Sequence, residues 1–252
     1  MYTAIQLAST LNKKYLPGAQ AFLRSLVKYN KINYLYNFFI FEEISDTEKR
    51  SLKLIYPYIN FININQKDFS YYNTCDKFRT WNFNCYNRFE IFTLECEKIV
   101  FFDLDMIVMS KLDEVFEFQG DFGAVNIQSF GRLDHPTEKI FDGGLMVISK
   151  KFLNNKTKEQ LINISKLKKW TSDEPVLNLF FEKHLTFLRK RYNILSYEYG
   201  QYKDDCSILQ YVGEKKPWTG DTIQENFDDY IIKKCKITEL TKMQRMFNVY
   251  AS

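Results

Sequence analysis

The stretch that most constrains this chain is Ile99-Val100-Phe101-Phe102 followed at once by Asp103-Leu104-Asp105 and then by Met106-Ile107-Val108. Four apolar residues in a row leave no face for water, so they predict a strand buried on both sides, as in a mostly parallel sheet. Two acids directly after such a strand must leave the core together. Period-two alternation sends Asp103 and Asp105 to the same side. In open α/β sheets ligands bind outside the carboxyl ends of the strands, and hard divalent cations choose oxygen ligands in roughly octahedral arrangement. The pair therefore points to Mg²⁺ or Mn²⁺ bridging the acids to a diphosphate. The plainer alternative is that Asp103 ends the strand and Asp105 opens a solvated turn.

The rest of the chain supplies the matching alternation. Residues 2–7 predict a first strand, and Pro17 opens a helix in which Leu16, Ala19, Phe22, Leu23, Leu26 and Val27 recur at helical spacing. Residues 33–41 and 61–64 read as strands, with a helix between them that starts at Ser45-Asp46-Thr47-Glu48 and ends before Pro57. Cys85, Phe89, Phe92 and Cys96 mark one helical face leading into the central strand. Downstream, 122–127, 141–148 and 208–212 read as strands, and 156–167 and 173–183 as helices. Ile231, Ile232 and Cys235, then Leu240, Met243 and Phe247, predict a packed C-terminal helix pair. Residues 71–84 are polar, aromatic and irregular, and read as an ordered loop near the site. Strands alternating with helices imply an α/β fold: a single Rossmann-like domain with a mostly parallel central sheet flanked by helices.

Length and composition close off other classes. At 252 residues with 45% hydrophobic and 26% charged residues, the chain can bury its own core. A formal charge of +4 is far from the concentrated basic face of a nucleic-acid binder, so none is expected as a partner. Cys75, Cys85, Cys96, Cys206 and Cys235 show no paired spacing and stand beside only two His, which supports neither a disulfide framework nor a zinc site. The opening residues lack a basic segment followed by a long apolar run, and no stretch approaches the roughly 18 apolar residues of a membrane span. The expectation is a cytoplasmic protein without a transmembrane segment.

Several motifs, taken in order from about residue 7 to residue 218, resemble glycosyltransferase family 8, which includes glycogenin and bacterial lipooligosaccharide galactosyltransferases. Tyr15-x-x-Gly18-Ala19 with Ser25-Leu26 is similar to its first helix, and Tyr86-Asn87-Arg88-Phe89 to its Tyr-x-Arg-Leu segment. Phe102-Asp103-Leu104-Asp105 resembles its metal-binding strand, and Lys111-Leu112-Asp113-Glu114-Val115-Phe116 the short helix after it. Phe141-Asp142-Gly143-Gly144-Leu145-Met146-Val147 looks like its Phe-Asn-(Ser/Ala)-Gly strand. Asp173-Glu174-Pro175-Val176-Leu177-Asn178 is similar to its Asp-Gln-x-x-Leu-Asn helix start, and Gly213-x-x-Lys216-Pro217-Trp218 to its Gly-x-x-Lys-Pro-Trp ending.

The resemblance implies a GT-A fold over residues 1–252, with a catalytic core at 1–218 and a helical segment at 219–252. It implies retaining transfer of a hexose, glucose or galactose, from a UDP-sugar to a glycan or protein acceptor, with Mn²⁺ or in its place Mg²⁺. By the same resemblance Thr10, Asn12 and Tyr15 meet the uridine. Arg88, Leu104, Gly143, Gly144, Gly213 and Lys216 join Asp103 and Asp105 around the nucleotide-sugar, Lys216 as a point charge on the diphosphate. Asp173 and Glu174 are the candidates to support the anomeric carbon, with Asp142 accepting from a sugar hydroxyl. Tyr197, Tyr199 and Tyr202 lie where glycogenin-like members modify themselves. A second copy of the chain is a candidate partner. Three residues depart from the family pattern: Gln210 stands where the family has a His metal ligand, Asp142 where it has Asn, and Glu174 where it has Gln. Two alternatives to glycosyl transfer stand beside it: a UDP-sugar-binding protein without turnover, motivated by the neutral amide as third ligand with Asp204 and Asp205 close by in sequence, and a nucleotidyltransferase, which can share the sheet and the acidic pair.

Overall fold

The computed structural model describes residues 4–65, 85–127, 140–168, 170 and 172–251. In the amino-terminal half, strand and helix alternate as the hydrophobic pattern requires: β1 (Ile5–Leu11), α1 (Leu16–Tyr29), β2 (Leu35–Ile40), α2 (Asp46–Ile55) and β3 (Ile59–Asn63). Pro17 sits in the first turn of α1, and Ala19, Phe22, Leu23 and Leu26 form its buried stripe. The α2 start is a reciprocal cap, in which Glu48 N–H donates to Ser45 Oγ at 3.3 Å and Ser45 N–H donates to Glu48 Oε2 at 2.7 Å. Beyond these lie β4 (Lys98–Phe102), β5 (Met106–Val108), α3 (Asp113–Phe116), β6 (Phe122–Asn126), β7 (Phe141–Ser149), α4 (Asn155–Ser165), α5 (Glu174–Phe181), β8 (Leu185–Leu188), β9 (Ile194–Leu195) and β10 (Ile208–Gln210). The carboxyl-terminal helices are α6 (Tyr199–Tyr202), which precedes β10, then α7 (Ile223–Asn226), α8 (Asp229–Lys234) and α9 (Ile237–Ala251).

The main sheet runs in the order β3-β2-β1-β4-β7-β6-β8. β1 pairs in parallel with β2 and β4, β2 with β3, and β6 with β8, while β7 runs antiparallel to both its neighbours. β4 alternates between two cores: Val100 and Phe102 face α1 through Phe22 and Leu26, whereas Ile99 and Phe101 face Phe89, Leu161 and Leu177. Both faces are thus covered. Each buried side chain of this kind contributes about 1.5–3 kcal/mol, so the end of β4 is held firmly. From β1 the chain walks outward to β3 and returns to β4 on the other side, which opens a crevice at the carboxyl ends of β1 and β4. A smaller sheet, β5-β10-β9, closes the far side of that crevice. On its back, Ile107, Leu209 and Tyr211 pack against Leu240, Met243 and Phe247 of α9, as the expected helix pair requires.

The structure corrects several expectations. The first strand is shifted toward the carboxyl end of 2–7, so Thr10 lies inside β1 rather than in the loop after it. Cys85–Thr93 is a 3-10 helix buried on nearly all sides, which erases any single apolar face and leaves Cys96 outside it. β10 stops at Gln210, and α5 runs from Glu174 to Phe181. β8 and β9 had no sequence signal. The loop at 71–84 and Cys75 lie outside the described residues, and Cys85, Cys96, Cys206 and Cys235 form no disulfide among the described residues.

Candidate active site

Where β4 ends, the backbone of the two acids is tied to different walls. Asp103 N–H donates to the Gly144 carbonyl on β7 at 2.8 Å, and Tyr211 N–H donates to the Asp105 carbonyl at 2.8 Å. Residues 103–105 form a bend between β4 and β5 rather than more strand. Their side chains converge through that bend, not through period-two alternation. Between the two carboxylates stands Gln210, whose Nε2 donates to Asp103 Oδ2 at 3.2 Å and to Asp105 Oδ1 at 3.3 Å. The outer oxygens are taken by cations: Arg88 Nη2 donates to Asp103 Oδ1 at 3.0 Å, and Lys216 Nζ to Asp105 Oδ2 at 2.5 Å.

Arg88 projects from the 3-10 helix and lies over the Phe101 ring at 4.8 Å. Its Nη1 is 3.2 Å from Asp173 Oδ2, so one guanidinium serves two carboxylates. Asp173 is the residue before α5, yet its side chain makes no cap bond; it turns to Arg88 instead. Glu174 Oε1 accepts from Gly143 N–H at 3.1 Å. The two glycines of β7 are close approaches: a side chain on Gly143 would collide with the Arg88 guanidinium, and one on Gly144 with the Gln210 amide. Asp142 is buried, its Oδ1 accepting from Gly144 N–H at 2.8 Å and from Asn193 Nδ2 at 2.9 Å. Asn193, fully buried before β9, was not foreseen, and nothing in the run Tyr192-Asn193-Ile194 signals it.

On the opposite side Lys216 Nζ also donates to the Tyr211 carbonyl at 2.6 Å. Tyr15 packs edge-on against Trp218 at 5.7 Å, and Trp218 Nε1 donates to the Lys14 carbonyl at 2.9 Å. Asn12 Oδ1 accepts from Tyr15 N–H at 3.0 Å, which caps the turn into α1. Thr10 and Asn12 are half-buried at the lip of β1, and Leu104 is buried with its carbonyl against Gly18. Gly213 has φ +100°, and the space where its side chain would stand holds the Asp228 carboxylate, which accepts from Glu214 N–H at 2.7 Å. That local turn is a sufficient reason for glycine there. Asp204 and Asp205 do not reach the acids: both are exposed, and Asp205 pairs with Arg191 at 2.9 Å. Of the three tyrosines, Tyr199 is fully buried, while Tyr197 and Tyr202 are partly exposed.

Burial pushes the Asp103 carboxyl up to about 8 against the pull of Arg88. With 24% of its side chain still open to the crevice, solvent moderates that push. Burial also raises Asp173, again against Arg88. Burial alone would lower Lys216, and Asp105 beside it more than reverses this, so the ammonium keeps its proton. Burial pushes the Tyr15 phenol up to about 12. Among the described residues no cluster of three His, Cys, Asp or Glu is placed to hold a metal. The donor set that is present nevertheless suits a hard cation, because the Gln210 amide lies beside two carboxylates and its Oε1 is buried without a hydrogen-bond partner.

A fold with this strand order, and acids at the mouth of its crevice, belongs to the GT-A class. Galactosyltransferase LgtC, solved with donor and acceptor sugar analogues, superposes with a TM-score of 0.72 over 94 to 95% of both chains: 95% of this chain and 95% of that one at 14% identity, and, for an LgtC active-site mutant, 94% and 95% at 16%. Likeness at that identity shows the fold. The family model for glycosyl transferase family 8 matches residues 6–222, and the chain belongs to that family. It is 25% identical over 242 residues to a lipopolysaccharide 1,2-glucosyltransferase of Escherichia coli, covering 82% of this chain and 71% of that protein. It is 27% identical over 139 residues to glycosyltransferase GlyE of Streptococcus pneumoniae, covering 48% of this chain and 34% of that protein. Among the described residues no helix is long and apolar enough to cross a membrane.

Proposed function

We propose that this glycosyltransferase moves a hexose from a UDP-sugar to a glycan acceptor with retention at the anomeric carbon, assisted by a divalent cation. The observation that carries the reading is the convergence of Asp103, Asp105 and the Gln210 amide, whose Oε1 has no partner, at the switch-point crevice, with Lys216 at its edge. Asp103, Asp105 and Gln210 would hold Mn²⁺ or Mg²⁺, which supplies positive charge for a leaving diphosphate. Lys216 adds a second positive charge there, and neither requires a proton donor. Thr10, Asn12 and Tyr15 line the β1 side, where the uridine is expected. On the sugar side, the Arg88 contact makes Asp173 a counter-ion, which leaves the less buried Glu174 to face positive charge developing at the anomeric carbon. Asp142, held by Gly144 and Asn193, shapes that wall from behind.

The acceptor and donor follow the relatives in class: a lipopolysaccharide-type glycan and glucose or galactose. Of the three tyrosines between residues 197 and 202, Tyr197 and Tyr202 are the ones open to self-transfer, and intact mass after incubation with UDP-glucose decides it. We read 219–252 as a helical extension of the same domain and place the protein in the cytoplasm. Family membership leaves the nucleotidyltransferase without motivation. Binding without turnover is kept as the second reading because Gln210 is a neutral ligand where the resemblance implies His. The test is a screen of UDP-hexoses with and without Mn²⁺, reading UDP release. Release by the wild type that disappears in Asp103→Ala supports catalysis; UDP binding with no product from any donor supports the second reading.

A further inference from the structure

All four carboxylate oxygens of the acidic pair already have a protein donor: Arg88 and Gln210 on Asp103, Gln210 and Lys216 on Asp105. Each oxygen keeps a second lone pair, but a cation gripped between these acids would stand against the donors already there, so one of them has to give way. Arg88 is not free to leave, because Asp173 and the Phe101 ring fix it from two further sides. The Gln210 amide points its nitrogen inward and its unpartnered oxygen away, and a half-turn of the amide would exchange them. Lys216 is the exchangeable one: a single charge on a four-carbon stem, 2% exposed, held by one carboxylate and one carbonyl with the Tyr15 ring 5.8 Å away, and tied to a single acid where Arg88 is tied to two.

We propose that Lys216 is the internal occupant of the cation's place on Asp105, and that it vacates this place for the diphosphate, so that metal and nucleotide are taken up together rather than in turn. The proposal rests on the metal-assisted reading above. It assigns Lys216 two acceptors in succession, Asp105 in the free protein and a phosphate oxygen in the complex. It also predicts that the free protein holds a divalent cation poorly, since a tethered ammonium competes with it at contact distance.

A lysine that merely supports the site and a lysine that competes for it predict opposite signs. Mn²⁺ binding is measured by the loss of the free-ion electron paramagnetic resonance signal, with no nucleotide present, for wild type, Lys216→Met and Lys216→Arg. Competition predicts that Lys216→Met binds Mn²⁺ about tenfold or more tightly, a coupling in the ordinary range, while its affinity for UDP falls. Lys216→Arg, which keeps a cation on Asp105, stays within about threefold of wild type on the same scale. Mn²⁺ binding to Lys216→Met that is unchanged or weaker overturns the proposal and leaves the metal-assisted reading standing. Binding of UDP but of no Mn²⁺ to any of the proteins, with or without UDP, overturns both. Should Lys216→Met fail to fold, the wild type answers alone: acylation of Lys216, followed by mass spectrometry, rises when Mn²⁺ is added and falls again with UDP. Labelling indifferent to bound Mn²⁺ overturns the proposal as well.

Discussion

The wall that carries Arg88 and the arm that carries Lys216 each set a buried cation on one acid of the same pair, by different means. Arg88 stands in an element packed on all sides, stacks on Phe101 and answers two carboxylates. Lys216 stands in a turn between β10 and α7, lies 5.8 Å from the Tyr15 ring and answers one carboxylate and one carbonyl. A planar fork with several fixed partners holds a wall in place; a point charge with few partners is free to change them. The site thus has a rigid side built by the main sheet and an adjustable side built by the small sheet and the turn after it.

Four measurements break or sharpen this contrast. The largest effect is expected from Asp103→Ala and Asp105→Ala, each lowering donor turnover by at least about a hundredfold, since each removes a ligand of the cation that would neutralise the leaving diphosphate; UDP release equal to wild type in either would remove the site from the mechanism. Next comes stability. Arg88→Met strands the buried Asp173 and the partly exposed Asp103 and is expected to cost about 3–5 kcal/mol in denaturant unfolding, with Lys216→Met less because it strands Asp105 alone. Equal losses would erase the distinction between the two sides. Gly144→Ala drives a methyl group into the Gln210 amide and is expected to cost about 1–3 kcal/mol, with weakened Mn²⁺ binding as its signature.

The smallest effect is the pH dependence. The folded carboxyl of Asp103 is raised from the ordinary range near 4 up to about 8. A raised carboxyl binds its proton more tightly in the native state than in the unfolded one. Its contribution to stability is therefore fullest below about 4 and is lost as pH rises through about 8. Cation binding has the opposite sign, because only the carboxylate holds a cation. Metal-dependent nucleotide binding should weaken on acidification between about 8 and about 4. A flat profile there would show Asp103 ionised throughout by Arg88.

Much of the frame was legible beforehand for local reasons. The run 99–102 with its trailing acids, the Pro17 helix start and the Ser45–Glu48 cap are short-range patterns, and each appeared where the spacing put it, within a few residues. Other elements were not legible. β8 pairs with β6 alone and is half-exposed along its length, so its four residues show no clear alternation. Cys85–Thr93 mimics an amphipathic helix in sequence, but burial on nearly every side selects a tighter coil. Asn193 looks like any asparagine until the fold sets it against Asp142, which it meets 51 positions away in the chain.

By itself the sequence determined the alternating α/β plan, the buried strand ending in two acids, and the residue types gathered for an oxyanion and a hard cation. These depend on hydrophobic periodicity and side-chain chemistry, both of which are local. Tertiary structure alone decided which partner each acid has. Arg88, Asp103, Asp105, Gln210 and Lys216 are separated by up to 111 positions between bonded partners, and only the packing of the two sheets brings them within hydrogen-bond distance. Once there, burial makes every unpaired charge costly, so each must find a counterpart, and the fold chooses which.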